Sequence, residues 1–183
     1  MKNLIKRKID CGFTLIEVLI AIFLIGVAFV GVVAFFNSSL KSHLEAKNEL
    51  VAAGLAQEGS ELIRNLRDYK VLHDSATWSD LADGTSGLSA CTRIDYDSLA
   101  SHLCDNSKSD NVCLNGEERY EQCSGGETGV GFKRTISVRC EDENNDEVSC
   151  GILANVKSLR VVSSVTWNGR ETEATDRLYE NEF

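Results

Sequence analysis

Residues 1–36, MKNLIKRKIDCGFTLIEVLIAIFLIGVAFVGVVAFF, decide the architecture of this chain. The stretch from Val18 to Phe36 has no charged residue, and a helix over it, at about 1.5 Å per residue, is roughly 28 Å long. That length matches the hydrocarbon thickness of a bilayer, so the stretch predicts a membrane-spanning helix. A cluster of basic residues on its N-terminal side predicts a cytoplasmic N-terminus and an external C-terminal part. The cluster consists of Lys2, Lys6, Arg7 and Lys8.

Glu17 is the residue in this segment that a plain membrane anchor does not explain. A carboxylate within a membrane helix is costly and usually marks a partner or a function. An ordinary secretory signal peptide is a further alternative, but its apolar core is about 7–15 residues long and ends in a small-x-small cleavage site. Here the apolar run is longer and continues into Phe35, Phe36 and Asn37 without such a site. Glu17 therefore favours a functional membrane segment over both simpler interpretations.

The string KRKIDCGFTLIEVLIAIFLIGVAFVG resembles the signal of type IV prepilins and pseudopilins. The shared pattern is a short basic leader, a glycine, an aromatic residue, T-L-I-E and an apolar helix. The resemblance implies that a prepilin peptidase cuts between Gly12 and Phe13 on the cytoplasmic side and methylates the new N-terminus at Phe13. It also implies that Glu17 serves assembly, because its carboxylate can neutralise the new amine of a neighbouring subunit in a low-dielectric bundle.

The helix is predicted to continue beyond the membrane to about Tyr69. The segment from Asn37 to Lys70 lacks proline and keeps apolar residues at four- and seven-residue steps. Gly54 and Gly59 each cost a helix about 1 kcal/mol relative to alanine, and we interpret them as points of close packing. The apolar stripe predicted to pack on a sheet consists of Leu44, Val51, Leu55, Leu62 and Leu66.

Strand patterns dominate the C-terminal part of the chain. Residues 132–140, FKRTISVRC, alternate so that Phe132, Arg134, Ile136, Val138 and Cys140 share one face. β-branched residues mark a second strand over 156–167, and Glu171–Tyr179 predicts a weaker third strand after a two-residue turn at Asn168-Gly169. Between helix and strands, the pattern allows short helical turns at Ser75–Leu81 and Tyr96–His102 and a hairpin of Cys113–Asn115 with Arg119–Cys123. The predicted fold class is α+β: a long N-terminal helix, half of it transmembrane, packed on an antiparallel sheet, as in pilin heads, with a disulfide-stapled loop region.

The chain has seven cysteines, of which Cys11 lies in the leader. The other six have no C-x-x-C pair and no histidine at zinc-ligand spacing, so they predict structural disulfides in a domain outside the cytoplasm. Six cysteines allow 15 pairings, and the sequence does not choose among them. The disulfide candidates are Cys91, Cys104, Cys113, Cys123, Cys140 and Cys150.

No other residue pattern indicates catalysis or a cofactor. The three histidines, His43, His73 and His102, have no accompanying nucleophile motif. The acidic stretch Cys140–Cys150 makes Asp142 and Asp146 weak calcium candidates, but the EF-hand pattern is missing, and a solvated hairpin tip is the favoured interpretation. A net charge of -9 argues against nucleic-acid binding by the bulk surface.

The sequence thus predicts a leader at 1–12, a transmembrane and assembly helix at 13–36, and a periplasmic or extracellular head at 37–183. The predicted function is that of a non-enzymatic minor pilin or pseudopilin in a type IV pilus-like or type II secretion-like filament, with prepilin peptidase, other pilin subunits and the inner membrane as partners. The segments LAQEGSELIRNLRD, FKRTISV and VSSVTW are similar to minor pilins of the pilus-modification class. The alternative is an adhesion module tethered by the helix, for which Trp78, Trp167 and Tyr179 could form the binding patch.

Overall fold

One long helix, α1, runs from Leu15 to Asp74, five residues past the predicted end at Tyr69. It ends because Ser75 adopts a left-handed φ of 54°, and the N–H of Ala76 then donates to the carbonyl of Lys70 at 3.1 Å. The structure is a computed structural model that describes residues 14–83, 87–95, 104, 106–124, 129–150 and 155–180. The chain divides into two compact units, Met1–Ala46 and Lys47–Phe183.

The second unit is the head, built from the last part of α1 and an antiparallel sheet. A two-stranded hairpin of β1 (Val112–Leu114) and β2 (Tyr120–Gln122) confirms the hairpin predicted between two cysteines. The main sheet has the order β4-β3-β5-β6. Its strands are β3 (Phe132–Glu141), β4 (Glu147–Val148), β5 (Ser158–Trp167) and β6 (Arg170–Tyr179). The third strand predicted at Glu171–Tyr179 is confirmed as β6, which pairs with β5 along its whole length.

The turn between β5 and β6 confirms the Asn-Gly signal. Asn168 and Gly169 have φ angles of 47° and 75°, and Trp167 lies opposite Arg170. Positive φ at both central residues is the condition for a type I′ turn, whose twist matches that of the flanking strands. This turn therefore fixes the register of the β5–β6 hairpin.

The core lies between α1 and one face of the sheet. The five β3 residues that the sequence pattern placed on one face are all buried, and Glu141 at the end of the strand is buried as well. Leu62, Ile63 and Leu66 of α1 pack in one cluster with side chains of β3, β5 and β6, and Ala52, Leu55 and Ala56 pack in a second with Val165 and Trp167. The fold confirms the expected α+β arrangement of a long helix on an antiparallel sheet.

The predicted apolar stripe is correct in its C-terminal part only. Leu55, Leu62 and Leu66 are buried, Val51 is half-buried and Leu44 is 63% exposed. Leu44 precedes Lys47, where the compact head begins, so it has no share in the head core.

Of the two glycines interpreted as close-packing points, Gly59 is one and Gly54 is not. A Cβ on Gly59 would lie within 3.1 Å of the Cβ of Ser163 on β5 and 3.4 Å from Cδ of Arg134 on β3. A Cβ on Gly54 would meet nothing within 4 Å. Gly59 is therefore the residue that lets α1 approach the sheet.

Three disulfides join the head cysteines in consecutive pairs: Cys91–Cys104, Cys113–Cys123 and Cys140–Cys150. They close short loops with sequence separations of 13, 10 and 10 residues. Cross-links of this kind typically stabilise a domain by about 2–4 kcal/mol each. The predicted disulfide-stapled region is confirmed, and the structure supplies the pairing that the sequence left open.

A short helix α2 (Trp78–Leu81) occupies the predicted turn at Ser75–Leu81. Asp80 accepts hydrogen bonds from the side chain and the backbone N–H of Thr77 at 2.7 and 2.8 Å, and these bonds lower the pKa of the Asp80 carboxyl. The other predicted turn, Tyr96–His102, lies outside the described residues.

Candidate processing and assembly segment

The N-terminal end of α1 carries the residues that the sequence singles out. Thr14 precedes the first helical residue, Leu15, and its hydroxyl oxygen accepts a long hydrogen bond of 3.4 Å from the N–H of Glu17. The carbonyl of Thr14 accepts from the N–H groups of Glu17 and Val18 at 3.1 and 3.3 Å. Thr14 is thus the N-cap of the helix. Gly12 and Phe13, the predicted cleavage and methylation positions, lie outside the described residues.

Glu17 occupies the third position of α1, and sequence analysis did not identify its role in capping the helix. Thr14-Leu15-Ile16-Glu17 has the S/T-x-x-E form of a capping box, in which the glutamate favours the positive end of the helix. Its side chain is exposed in the single chain. Glu17 therefore stabilises the start of the helix, and its exposed carboxylate is accessible to a second molecule.

The helix that follows is apolar and unpacked. It contains a stretch whose mean hydropathy is 3.1 with none of its residues buried, and it is the helix in the described part of the chain that is long and apolar enough to cross a membrane. Its large apolar side chains between Leu15 and Phe36 are 43–79% exposed. Such a surface is stable in lipid or against other apolar helices and is unfavourable in water.

In the acidic hairpin loop between β3 and β4, Asp142 bonds to the backbone of the loop itself. Asp142 Oδ1 accepts hydrogen bonds from the N–H groups of Asn144 and Asp146 at 2.8 and 3.0 Å. Over the described residues, no group of three or more His, Cys, Asp or Glu side chains could hold a metal ion. The loop is a hydrogen-bonded turn closed by Cys140–Cys150.

The aromatic residues considered for adhesion do not form one patch. The indole N–H of Trp78 donates to the carbonyl of Val156 at 3.2 Å, and Trp167 is 6% exposed in the core. Tyr179 is exposed, but it lies opposite Ser158, at the far end of the β5–β6 hairpin from Trp167. Trp167, buried and at the other end of the hairpin, therefore shares no surface patch with Tyr179.

A buried ion pair in the head is one feature that sequence reasoning did not find, and the pairing of the fully buried Glu141 with Arg160 and Arg177 is another. Nη2 of Arg134 lies 2.6 Å from Oδ1 of Asp95, and these side chains are 1% and 2% exposed. Lys108 Nζ and the N–H of Gln122 complete the contacts of Asp95 Oδ2 at 3.0 and 2.9 Å. Glu58 of α1 places Oε1 3.3 Å from Nη1 of Arg134. The signal was present, because the strand alternation put Arg134 on the apolar face.

This cluster joins three parts of the head. Arg134 comes from β3, Asp95 from the loop bounded by the first disulfide, and Glu58 from α1. The Arg134 guanidinium also donates to the carbonyl of Ile94 at 2.7 Å. It therefore holds the disulfide-stapled loop against the helix and the sheet.

Comparison with known families finds one match. Residues 7–33 match the family model of the prokaryotic N-terminal methylation motif, the type IV prepilin signal. The match covers the N-terminal signal, and the fold described above, a long N-terminal helix packed on an antiparallel sheet, is pilin-like. Neither the curated proteins nor the solved structures contain a match to the chain.

Proposed function

We propose that this chain is a minor pilin or pseudopilin, a structural subunit that is processed by a prepilin peptidase and polymerises into a type IV pilus-like or type II secretion-like filament. The observation that carries the proposal is the exposed apolar helix that begins within the matched signal at residues 7–33 and has Glu17 in its first turn. Cleavage between Gly12 and Phe13 removes the basic leader and leaves the apolar helix on the product.

The orientation follows from charge. Positively charged flanks stay on the cytoplasmic side of a membrane helix, so the leader faces the cytoplasm and the head lies outside the inner membrane. The three disulfides of the head support this, since such bonds persist in oxidising compartments. Before assembly the subunit lies in the inner membrane with its head in the periplasm, and during assembly it moves into the filament.

Glu17 supplies the register of assembly. A carboxylate buried alone in a low-dielectric helix bundle is costly, whereas pairing with a cation offsets much of that cost. Cleavage creates a cation at the right end of the helix, the methylated amine of Phe13. The Glu17 carboxylate of one subunit pairs with the Phe13 amine of its neighbour, and the exposed apolar side chains of the two helices pack against each other.

Replacing Glu17 by alanine is expected to leave processing intact and to reduce incorporation into filaments at least tenfold, because the amine of the neighbour loses its counterion. The measurement is the ratio of filament-borne to membrane-borne protein after shearing, by immunoblot. Glu49→Ala is the matched control, an exposed carboxylate on the same helix beyond the apolar segment, and it should behave as the unmodified chain. Normal incorporation of the Glu17→Ala variant would refute the pairing role.

A further inference from the structure

Strand β6 is an edge of the main sheet, and among the described residues it pairs only with β5. In a hairpin with a two-residue turn, the two residues that flank the turn, here Trp167 and Arg170, exchange backbone hydrogen bonds. Along the two strands, such hydrogen-bonded pairs alternate with pairs that are not hydrogen-bonded to each other. The intervening residues of β6 therefore point their backbone N–H and C=O groups away from β5, toward the open edge. These residues are Glu171, Glu173, Thr175, Arg177 and Tyr179.

The sequence of this edge is complementary to itself. If two copies of β6 pair antiparallel with Thr175 opposite Thr175 of the second copy, Glu173 lies opposite Arg177 and Arg170 lies opposite Glu180. Each match occurs twice by symmetry, and no like charges face each other. Within its own head, Arg177 donates from Nε to Oε2 of Glu141 at 2.9 Å, which leaves its Nη groups to face Glu173 of the second copy. Opposite charges in facing positions stabilise strand pairs, and an unpaired edge is a template for such pairing.

Asp176 blocks the donor that this pairing requires. Its Oδ1 accepts the N–H of Arg177 at 2.9 Å, and that N–H is the outward-pointing group that would otherwise bond to the carbonyl of Glu173 in the second copy. Its other oxygen, Oδ2, is held by Nη2 of Arg64 on α1, and Arg64 is itself fixed by Glu61 at 3.0 Å. The two oxygens of Asp176 thus have separate partners: Oδ2 pairs with the helix, and Oδ1 caps the strand edge.

We propose that Asp176 is an edge guard: by capping the Arg177 N–H it prevents the heads of two copies of this chain from joining through β6. Antiparallel strands are related by a two-fold axis, so heads joined in this way point in opposite directions along β6. Head-to-head pairs of this kind are an association other than the helix packing proposed for assembly. The hydrogen bond from Arg177 to Asp176 does not affect the outward backbone groups from Glu171 to Thr175.

The test compares the dimerisation constants of variants of the full chain in detergent micelles, measured by sedimentation. Asp176→Ala releases the Arg177 N–H and is expected to tighten dimerisation at least tenfold. Asp176→Val, which suits a strand better, should do the same and serves if the alanine variant folds poorly. Arg64→Ala is the matched control: it loses the same ion pair but keeps the cap on Arg177, so it should stay as monomeric as the unmodified chain.

The route of association is tested by a second substitution in the Asp176→Ala background. Thr175→Pro removes an outward N–H at the centre of the expected pairing and leaves the bonds to β5 intact, since proline is tolerated on edge strands. It should return the dimerisation constant to that of the unmodified chain. The proposal is overturned if Asp176→Ala and Asp176→Val remain monomeric, if Arg64→Ala dimerises as they do, or if Thr175→Pro leaves the association unchanged.

Discussion

Replacing Arg134 by alanine is expected to lower the free energy of unfolding of the head by about 3–5 kcal/mol, the usual cost of removing one partner of a buried ion pair. The substitution leaves the Asp95 carboxylate 2% exposed with Lys108 as its remaining cation. It also removes the donor to the carbonyl of Ile94 and the charge that faces Glu58. A loss of that size is a large fraction of the stability of a typical domain.

The measurement is denaturant unfolding with the disulfides intact, followed by near-ultraviolet circular dichroism. Arg139→Ala is the matched control, because Arg139 lies on the same strand but on the outer face, 49% exposed, where it pairs with Glu147. An exposed pair of this kind contributes about 0–1 kcal/mol. If the free energies of unfolding of the Arg134 and Arg139 variants differed by less than about 1 kcal/mol, the contribution of one surface pair, the buried cluster would not stabilise the head more than a surface pair does.

Replacing Gly12 by valine is expected to abolish processing. Glycine leaves the extended backbone before the cut unobstructed, whereas the β-branched side chain of valine restricts the backbone and occupies the space that a protease site gives to glycine. The chain should then accumulate as a precursor that is heavier than the mature form by the mass of the leader, as gel electrophoresis and mass spectrometry would show.

Gly26→Val is the matched control for this experiment. It makes the same substitution within the apolar helix, at a position where an added Cβ would meet nothing within 4 Å, and it should be processed normally. A mature-sized product from the Gly12 variant would remove the cleavage assignment.

The elements of this fold that follow from local pattern could be predicted from the sequence. Apolar spacing predicted α1, alternation predicted β3 with its buried face, and Asn168-Gly169 predicted the turn that sets the β5–β6 register. Each of these signals depends on residues that are close together in the sequence and on steric or hydrophobic effects.

The features that depend on distant residues could not be predicted. The pairing of the cysteines and the contact of Arg134 with Asp95 join positions that only the folded head brings together. Leu44 continues the helical stripe but lies outside the compact head, so periodicity alone overextended the buried face. At the N-terminus, T-L-I-E fits both a helix cap at Thr14 and an assembly carboxylate at Glu17, so one short pattern carries two separate signals.

The most direct test of the account is mass spectrometry of the N-terminus of the protein taken from the membranes of the cells that make it. The account predicts a chain that begins at Phe13 and carries one added methyl group on its α-amine, with the leader through Gly12 absent. A chain that still begins at Met1 would identify a plain membrane anchor, and one that begins beyond Phe36 would identify an ordinary secretory signal. Either result would contradict the proposal that this chain is a processed filament subunit.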